Sequence, residues 1–288
     1  MLKQKGGKKA GSVARKAARA TGAKQVRGNR ASRGGTRNGK LIVGNWKMNP
    51  ATPAEVKAIL AAIKKAAARA AKAQVVVCPS LVHEGLVLAA AGRSKVGIGA
   101  QDVFQKSEGS FTGAVSAPML AAAGIQYVIV GHSERRALGE GFDVVREKLG
   151  RVLAADMIAI LCIGEARRDG QGVYLEEIKK QIRDAFHDVD VSVLGRIVVA
   201  YEPIWTIGAK EAMQTSQIHE MTIYIRKVLL EKYPADAVKK VRVLYGGSVA
   251  AANAAAILGD GEADGLLIGR QSLVAEDFSE IIRIADAL

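Results

Sequence analysis

Aromatic side chains are scarce in this sequence: they make up 5% of the 288 residues, whereas 49% of the residues are hydrophobic. Alanine, valine, isoleucine and leucine supply most of the apolar mass, which is typical of buried parallel strands covered by helices. Long apolar runs are also missing, and none approaches the roughly 20 residues that cross a bilayer. The composition favours a soluble protein without a membrane partner.

Cysteine is rare as well, with only Cys78 and Cys162, each at the end of an apolar run. Two thiols in so long a chain cannot form a disulfide framework. We expect both to be buried and reduced, because free cysteine is among the most frequently buried residue types. A cytoplasmic location fits this usage.

Asp and Glu are absent from the first 40 residues, which hold 13 of the 42 Lys and Arg residues. The rest of the chain carries 29 basic and 28 acidic residues, so the net charge of +14 belongs mainly to this segment. Residues 1–39 have almost no large apolar side chain, and we expect a disordered basic extension ahead of a folded domain over residues 40–288. Three roles stay open for the extension: none, targeting to an organelle matrix, or contact with nucleic acid or another anionic surface.

From residue 41 onward, short apolar runs alternate with stretches in which apolar residues recur every three or four positions. Such alternation predicts a parallel sheet with right-handed crossovers. Eight units in about 250 residues fit an α/β protein built as a single (β/α)₈ barrel, although the pattern alone leaves an open doubly wound sheet as an alternative. The runs are LIVGNW (41–46), VVVCP (75–79), VGIGAQ (96–101), YVIVGH (127–132), IAILCIG (158–164), IVVAYE (197–202), VRVLYG (241–246) and DGLLIG (264–269).

Polar residues end several of these runs, and the carboxyl ends of the strands carry the active site in a (β/α)₈ barrel. Glu202 ends the sixth run, His132 ends the fourth, and Asn45 and Lys47 lie at the end of the first. Each alone has a structural explanation, as an ion-paired rim glutamate, a structural histidine or a solvated lysine. Their convergence on one rim favours an acid–base site, in which a carboxylate removes a proton and nearby donors stabilise the developing charge.

Glycine-rich turns follow three of the predicted strands, at residues 207–209 (IGA), 245–248 (YGGS) and 269–270 (GR). Backbone N–H groups in such turns can hold an anion, and the turns after strands seven and eight are the usual phosphate site of this architecture. Tight turns without a ligand are commoner, but three turns beside an acid–base site indicate phosphate binding. No Gly-x-Gly-x-x-Gly motif follows the first strand and no His/Cys cluster has ligand spacing, so we expect neither cofactor nor metal.

Seven segments resemble triosephosphate isomerase in sequence, order and spacing, from about residue 41 to the end of the chain. The resemblance implies a TIM barrel that interconverts dihydroxyacetone phosphate and D-glyceraldehyde 3-phosphate through an enediolate, in glycolysis and gluconeogenesis. It also implies a homodimer that needs neither metal nor cofactor. The segments are GNWKMN (44–49), GSFTGAVSAPML (109–120), VIVGHSERR (128–136), CIGE (162–165), AYEPIWTIG (200–208), YGGSV (245–249) and DGLLIG (264–269).

The resemblance also implies roles for individual residues. Glu202 matches the catalytic base and His132 the electrophile that polarises the substrate carbonyl; triosephosphate isomerase is itself the standard example of a glutamate base with a neutral histidine. Lys47 matches the lysine whose charge stabilises the enediolate, Asn45 its neighbour in the substrate pocket, and Glu134 the buried glutamate just after the histidine. The remaining matches are backbone phosphate contacts at Gly208, Ser248 and Gly269 and a closing lid over residues 203–210. We also expect Trp205 to pack against the lid hinge rather than contact substrate, and Ser133 to support the site.

Three positions depart from the family pattern. Residues 208–211 read GAKE where the lid usually continues Gly-Thr-Gly-Lys, and Arg270 replaces the second glycine of the last phosphate turn, where its N–H can still bind phosphate. Ala114 stands where a glutamate usually follows Thr112, in a loop that resembles the one inserted into the partner subunit. Two alternatives therefore stay open: a sister isomerase of a four-carbon tetrulose phosphate, and a barrel that acts by binding through its basic extension.

Overall fold

The computed structural model describes residues 39–206 and 213–288. Residues 1–38 of the predicted extension and residues 207–212 of the predicted lid, including Gly208, lie outside the described residues. Eight parallel strands form a closed barrel in the order of the sequence, and the last strand pairs with the first. The predicted (β/α)₈ barrel is confirmed, and the open sheet is excluded. The strands are β1 (Leu41–Asn45), β2 (Gln74–Cys78), β3 (Gly97–Ala100), β4 (Tyr127–Val130), β5 (Ile158–Ile163), β6 (Ile197–Tyr201), β7 (Arg242–Tyr245) and β8 (Gly265–Ile268).

Helices alternate with these strands and pack against them. Within the two described ranges, no helix is long and apolar enough to cross a membrane. The α-helices are α1 (Pro53–Arg69), α2 (Leu81–Ala91), α3 (Ala117–Ala123), α4 (Ser133–Ala137), α5 (Phe142–Ala154), α6 (Val173–Ala185), α7 (Thr215–Leu230), α8 (Ala235–Val238), α9 (Ala251–Leu258) and α10 (Ala275–Ala287). Short 3₁₀ helices cover Val191–Arg196, Ile204–Thr206 and Arg270–Leu273.

The first helix illustrates how local sequence starts these elements. The Thr52 hydroxyl accepts a hydrogen bond from the N–H of Glu55, and the Glu55 carboxylate accepts one from the N–H of Thr52. This reciprocal cap satisfies donors that the helix start would leave unpaired, and Pro53 suits the first turn because it has no N–H to lose. Apolar residues at helical spacing, among them Val56 and Leu60, then face the barrel.

Alternate residues along each strand belong to two separate cores, as the two-residue repeat of a strand requires. Val75 and Val77 pack in the layer between the strands and the helices, whereas Val76 and Cys78 lie in the layer inside the barrel. Both cysteines are free and buried, which confirms the prediction, and burial raises the pKa of each thiol. The inner layer consists of Leu41, Val43, Val76, Cys78, Ile129, Ile160, Cys162, Val198, Ala200, Leu244 and Leu267.

The C-terminal helix is fastened to the loop between α1 and β2 by Asp286. Its carboxylate accepts hydrogen bonds from the backbone N–H groups of Ala71, Lys72 and Ala73, at 3.0, 2.6 and 2.8 Å. These bonds stabilise the charged form, so the pKa of Asp286 is lowered from its usual 3.8. The bonds thereby join the last element of the barrel to its first repeat.

We expect Asp286→Ala to lower the free energy of unfolding by about 1 to 2 kcal/mol, because three backbone donors lose their acceptor. Asp286→Asn keeps one acceptor oxygen and should lose less. Since the folded-state pKa is lowered, the contribution is fully present above the unfolded value near 3.8 and fades as the pH falls through the lower folded-state value. Urea denaturation of the three proteins at pH 7 measures the difference; equal unfolding free energies would rule out a stabilising role.

Candidate active site

Glu202 and His132 meet at the mouth of the barrel. Glu202 follows β6 and is 2% exposed, and His132 lies between β4 and α4 and is 6% exposed. One carboxylate oxygen of Glu202 lies 3.2 Å from Nε2 of His132, and the other accepts a hydrogen bond from the backbone N–H of Ser133 at 3.2 Å. The structure therefore brings the predicted base, the predicted electrophile and the supporting residue Ser133 into one buried cluster.

The surroundings of His132 define which nitrogen carries its proton. Nδ1 accepts a hydrogen bond from the backbone N–H of Glu134 at 3.2 Å, so Nδ1 is unprotonated while this bond exists. The proton of the neutral ring is then on Nε2, which donates toward Glu202. Burial opposes the charged imidazolium, but the Glu202 carboxylate outweighs it, and the pKa of His132 is raised from its usual 6.5.

The pKa of Glu202 responds to the same contacts in the opposite direction. Burial alone would raise it, because a charged carboxylate loses its hydration. The neighbouring His132 and the N–H of Ser133 outweigh burial, so the pKa of Glu202 is lowered from its usual 4.5. In this arrangement the carboxylate is held ionised.

Lys47 has an unusual backbone conformation, with φ at 53° in the left-handed region that non-glycine residues rarely adopt. Three side chains hold it there. The amide oxygen of Asn45 accepts from the Lys47 N–H at 3.1 Å, and the Lys47 carbonyl accepts from Ser80 Oγ at 2.7 Å and from Gln101 Nε2 at 2.8 Å. Strain of this kind at a functional residue aims the side chain, and the surrounding contacts must support it.

The ammonium group of Lys47 binds Glu134 on the same rim. Lys47 Nζ lies 2.6 Å from Oε1 of Glu134, and the other Glu134 oxygen is 3.7 Å from Nδ1 of His132. The expectation that Glu134 is buried was wrong, because its side chain is 58% exposed in this chain. Glu134 lies on the first turn of α4, at the edge of a cavity, and solvent therefore reaches its carboxylate.

The two predicted phosphate turns that the structure describes adjoin this cluster. A Cβ atom added to Gly269, after β8, would lie 3.3 Å from Cε of Lys47, so the lysine side chain runs over that turn. A Cβ added to Gly246, after β7, would lie 2.8 Å from Cγ of Glu202, so only glycine leaves room for the base. Ser248 is half-buried in the same turn as Gly246, and Arg270 is exposed at the start of a 3₁₀ helix.

Glu165 is a buried residue of this region that sequence reasoning missed. One of its oxygens accepts hydrogen bonds from the hydroxyl of Tyr201 at 2.8 Å and from Nε1 of Trp205 at 3.0 Å. Trp205 is 41% exposed, so this bond fixes a side chain that packing only partly holds. Its place in the sequence could have revealed it, because Glu165 directly follows the fifth predicted strand and Glu202 ends the sixth.

A cavity of about 650 Å³ opens beside the cluster and shares Asn45, Lys47, His132 and Glu134 with it. Glu84 also lines this cavity; it is 7% exposed, and burial raises its pKa to about 7. The loop that carries Thr112 is exposed near the rim of the cavity, where Gly113 and Ala114 contribute to the lining. In the part of the chain that the structure describes, no group of His, Cys, Asp and Glu side chains is arranged to hold a metal ion.

The fold and the cluster together define a (β/α)₈ barrel enzyme with a carboxylate, an imidazole and a lysine beside glycine-rich turns. The model of the triosephosphate isomerase family matches residues 40–285. Triosephosphate isomerase of Endomicrobium trichonymphae is 37% identical over 245 residues, which cover 84% of this chain and 97% of the relative. That of Rhodopirellula baltica is 38% identical over 248 residues, which cover 85% and 97%. The chain therefore belongs to the triosephosphate isomerase family, and it is an isomerase with a TIM barrel.

We expect kcat/KM to fall as the pH drops through the raised pKa of His132, starting above 6.5. Below that pKa the imidazolium must break its bond with the Glu134 N–H, and it pairs with Glu202 and weakens the base. The decrease should approach about tenfold per pH unit. Rate profiles from pH 5 to 9 measure it, and ¹⁵N NMR at pH 8 should find the Nε2–H form.

The exposed His187, which pairs with Asp188, provides the matched control. His187→Gln should leave the acid side of the profile unchanged. A wild-type profile that stays flat down to pH 5, or a ring protonated at Nδ1 at pH 8, would contradict the assignment.

Proposed function

We propose that this chain interconverts dihydroxyacetone phosphate and D-glyceraldehyde 3-phosphate by proton transfer through an enediolate, with Glu202 as the base. The observation that carries the proposal is the 3.2 Å contact between the Glu202 carboxylate and Nε2 of His132 at the barrel mouth. A proton acceptor and a proton donor that lie this close together can both contact one small substrate. The acceptor can reach a carbon of the substrate while the donor reaches the oxygen on the next carbon.

Glu202 gains basicity when substrate replaces its resting contacts. Its pKa is lowered by His132 and by the Ser133 N–H, whereas burial acts to raise it. A substrate that takes over the Nε2–H of His132, and draws the carboxylate away from Ser133, removes the two lowering contacts and leaves burial in force. The carboxylate then takes a proton from the carbon next to the carbonyl more readily than it would in water.

His132 and Lys47 stabilise the charge that develops on the substrate oxygens. The neutral ring donates through Nε2, and the Nδ1 bond to the helix backbone keeps it in that form. Lys47 carries a full positive charge, and the bonds to its backbone fix its direction. Preorganised donors of this kind are most effective in a site that excludes water, because they need no reorganisation during the reaction.

The phosphate group binds between the turns after β7 and β8. Ser248, Gly269 and Arg270 offer backbone N–H groups there, and the Lys47 ammonium, which lies over Gly269, adds positive charge. The resemblance implies a further backbone contact to the phosphate from Gly208, which lies outside the described residues. The guanidinium of Arg270, at the exposed end of the turn, adds a second cation. The resemblance implies a closing lid over residues 203–210, and Trp205, near its start, donates to Glu165.

Triose phosphate is the favoured substrate because the relatives that the chain matches over most of its length are triosephosphate isomerases. The reaction then belongs to glycolysis and gluconeogenesis, in the cytoplasm, which the two free, buried thiols support. We take residues 40–288 as the catalytic domain, a boundary supported by the family match from residue 40.

We expect wild-type protein to isomerise triose phosphate in a coupled assay, and Glu202→Gln to reduce kcat by about 10²- to 10⁴-fold, because it removes only the proton acceptor. Glutamine can still accept the Ser133 N–H, so the fold should persist. Glu147→Gln, at a half-exposed carboxylate that pairs with Lys106 on the outside, is the control and should keep wild-type activity. A wild type that prefers a tetrulose phosphate, or a fully active Glu202→Gln variant, would contradict the proposal.

The cavity beside the site supports a homodimer in which the Thr112 loop of a second copy fills it. Leu138, which is 79% exposed, lines it, and Met48 at 94% and Phe111 at 46% are exposed and lie within two positions of the lining residues Lys47 and Gly113 along the chain. The buried carboxylate of Glu84 also lines the cavity and can accept hydrogen bonds from a docked loop.

We expect Thr112→Arg to weaken self-association by about tenfold or more, because the longer, charged side chain does not fit the cavity. Sedimentation velocity at micromolar protein measures the shift from dimer to monomer. Ile223→Arg, at an exposed position on the outer helix α7, should leave the dimer intact. A wild type that sediments as a monomer throughout would contradict the dimer without affecting the proposed reaction.

A further inference from the structure

Gly164, the first residue after β5, is in close contact with the backbone of Glu202. A Cβ atom added to Gly164 would lie 1.8 Å from the carbonyl oxygen of Glu202, so no larger residue fits. The N–H of Glu202 donates to the carbonyl of Ile163 at 2.7 Å. The backbone at residues 163–164 therefore determines where the backbone of Glu202 lies.

Gln181 on α6 binds both backbone groups of Gly164. Its Oε1 accepts from the Gly164 N–H at 2.9 Å, and its Nε2 donates to the Gly164 carbonyl at 3.0 Å. The Gln181 residue is 5% exposed, so water does not compete for these bonds. Gln181 itself is held by Glu177, whose carboxylate accepts from its Nε2 at 3.1 Å.

Arg136 on α4 reaches the same carbonyl from the other side. Nη1 of Arg136 donates to the Gly164 carbonyl at 3.3 Å, and Nε donates to the carbonyl of Gly131 at 3.1 Å. Gly131 directly precedes His132, so Arg136 connects the strand end that carries the imidazole with the one that supports the base. The guanidinium also lies 5.5 Å from the centre of the Phe142 ring.

We propose that Arg136 and Gln181 are positioning residues for Glu202: they clamp the peptide groups of Gly164, against which the Glu202 backbone packs, and Arg136 adds a positive charge behind the carboxylate. The proposal rests on the proposed role of Glu202 as the base. Neither residue contacts the reacting atoms; each acts on them through Gly164.

The charge of Arg136 acts on Glu202 and also on Glu177, the carboxylate on α6 that holds Gln181. The Nη2 of Arg136 is buried without a hydrogen-bond partner. The groups that act on Glu202 are His132 and the Ser133 N–H on one side, and the guanidinium of Arg136. The buried thiol of Cys162 on β5 faces the same carboxylate. Like His132 and Ser133, Arg136 lowers the pKa of Glu202.

Arg136 and Gln181 both donate to the Gly164 carbonyl, but only Arg136 is charged. Comparing variants of the two residues therefore distinguishes an effect on the position of Glu202 from an effect on its pKa. The variants are Gln181→Met, Arg136→Met and Arg136→Lys in the full-length chain, assayed with triose phosphate from pH 5 to 9. We expect kcat to fall by about tenfold in both methionine variants with KM within about twofold, since a misplaced base slows the chemical step more than binding. The acid side of the kcat/KM profile follows protonation of the coupled His132–Glu202 pair. It should move to higher pH by roughly half a pH unit only in Arg136→Met, because loss of a nearby cation makes the pair easier to protonate.

Arg136→Lys keeps the charge and one donor, so it should recover the wild-type profile position with part of the kcat. Arg146→Met removes a cation from α5 that pairs with Asp188 on the surface, and it should match the wild type in both respects. If Arg136→Met does not fold, as judged by circular dichroism, Arg136→Gln takes its place.

If both methionine variants keep kcat within twofold of the wild type, or change only KM, then Arg136 and Gln181 do not position Glu202. A profile that moves equally in Gln181→Met and Arg136→Met would overturn the charge effect. Failure of the proposed function looks different, because it would appear as an inactive wild type or an active Glu202→Gln variant.

Discussion

The strand register of the closed barrel is the constraint on which the site depends. His132 and Glu202 follow β4 and β6, which are not neighbours; β5 lies between them and pairs with both. Val130, at the end of β4, is level with Leu161, and the β5–β6 pairing continues to the last residue of each strand. His132 therefore reaches the rim where Glu202 emerges. A slip of one residue in either pairing would turn a whole strand's side chains to the opposite face and separate the two.

The charged groups at the barrel mouth form a buried pair, Glu202 with His132, and a solvent-exposed pair, Lys47 with Glu134. Glu202 and His132 are almost fully buried, and two contacts with donors compensate the charge of the carboxylate. Lys47 and Glu134 form an ion pair that solvent reaches, and such pairs stabilise a fold weakly. The weaker pair is the one whose cation, in the proposed reaction, interacts with a charged substrate. Burial thus makes the proton acceptor rigid and leaves the lysine available.

Much of this arrangement could be predicted from sequence because strands buried on both faces are continuous apolar runs. Seven of the eight runs contain the whole observed strand, and β2 begins one residue before its run, at Gln74. Reading only the ends of the runs was enough to find Glu202, His132 and Lys47. What could not be predicted depends on partners far along the chain. The left-handed backbone of Lys47 is held by a residue 54 positions away, and Gly164 is bound by one 17 positions away. The wrong expectation for Glu134 has the same origin, because exposure at the rim depends on which loops cover it.

One departure from the family pattern, Arg270, falls where the proposed recognition uses backbone rather than a side chain. Arg270 replaces a glycine in the phosphate turn, yet its N–H is the group proposed to bind, and the first residue of a 3₁₀ helix offers that N–H whatever its side chain is. Gly246 is different, because a side chain there would collide with Glu202. At Lys47 and His132, where the proposed reaction uses a particular side chain, the chain keeps the residue that the family resemblance implies. Whether a position tolerates substitution therefore depends on whether it contributes a backbone atom or a side-chain atom to the site.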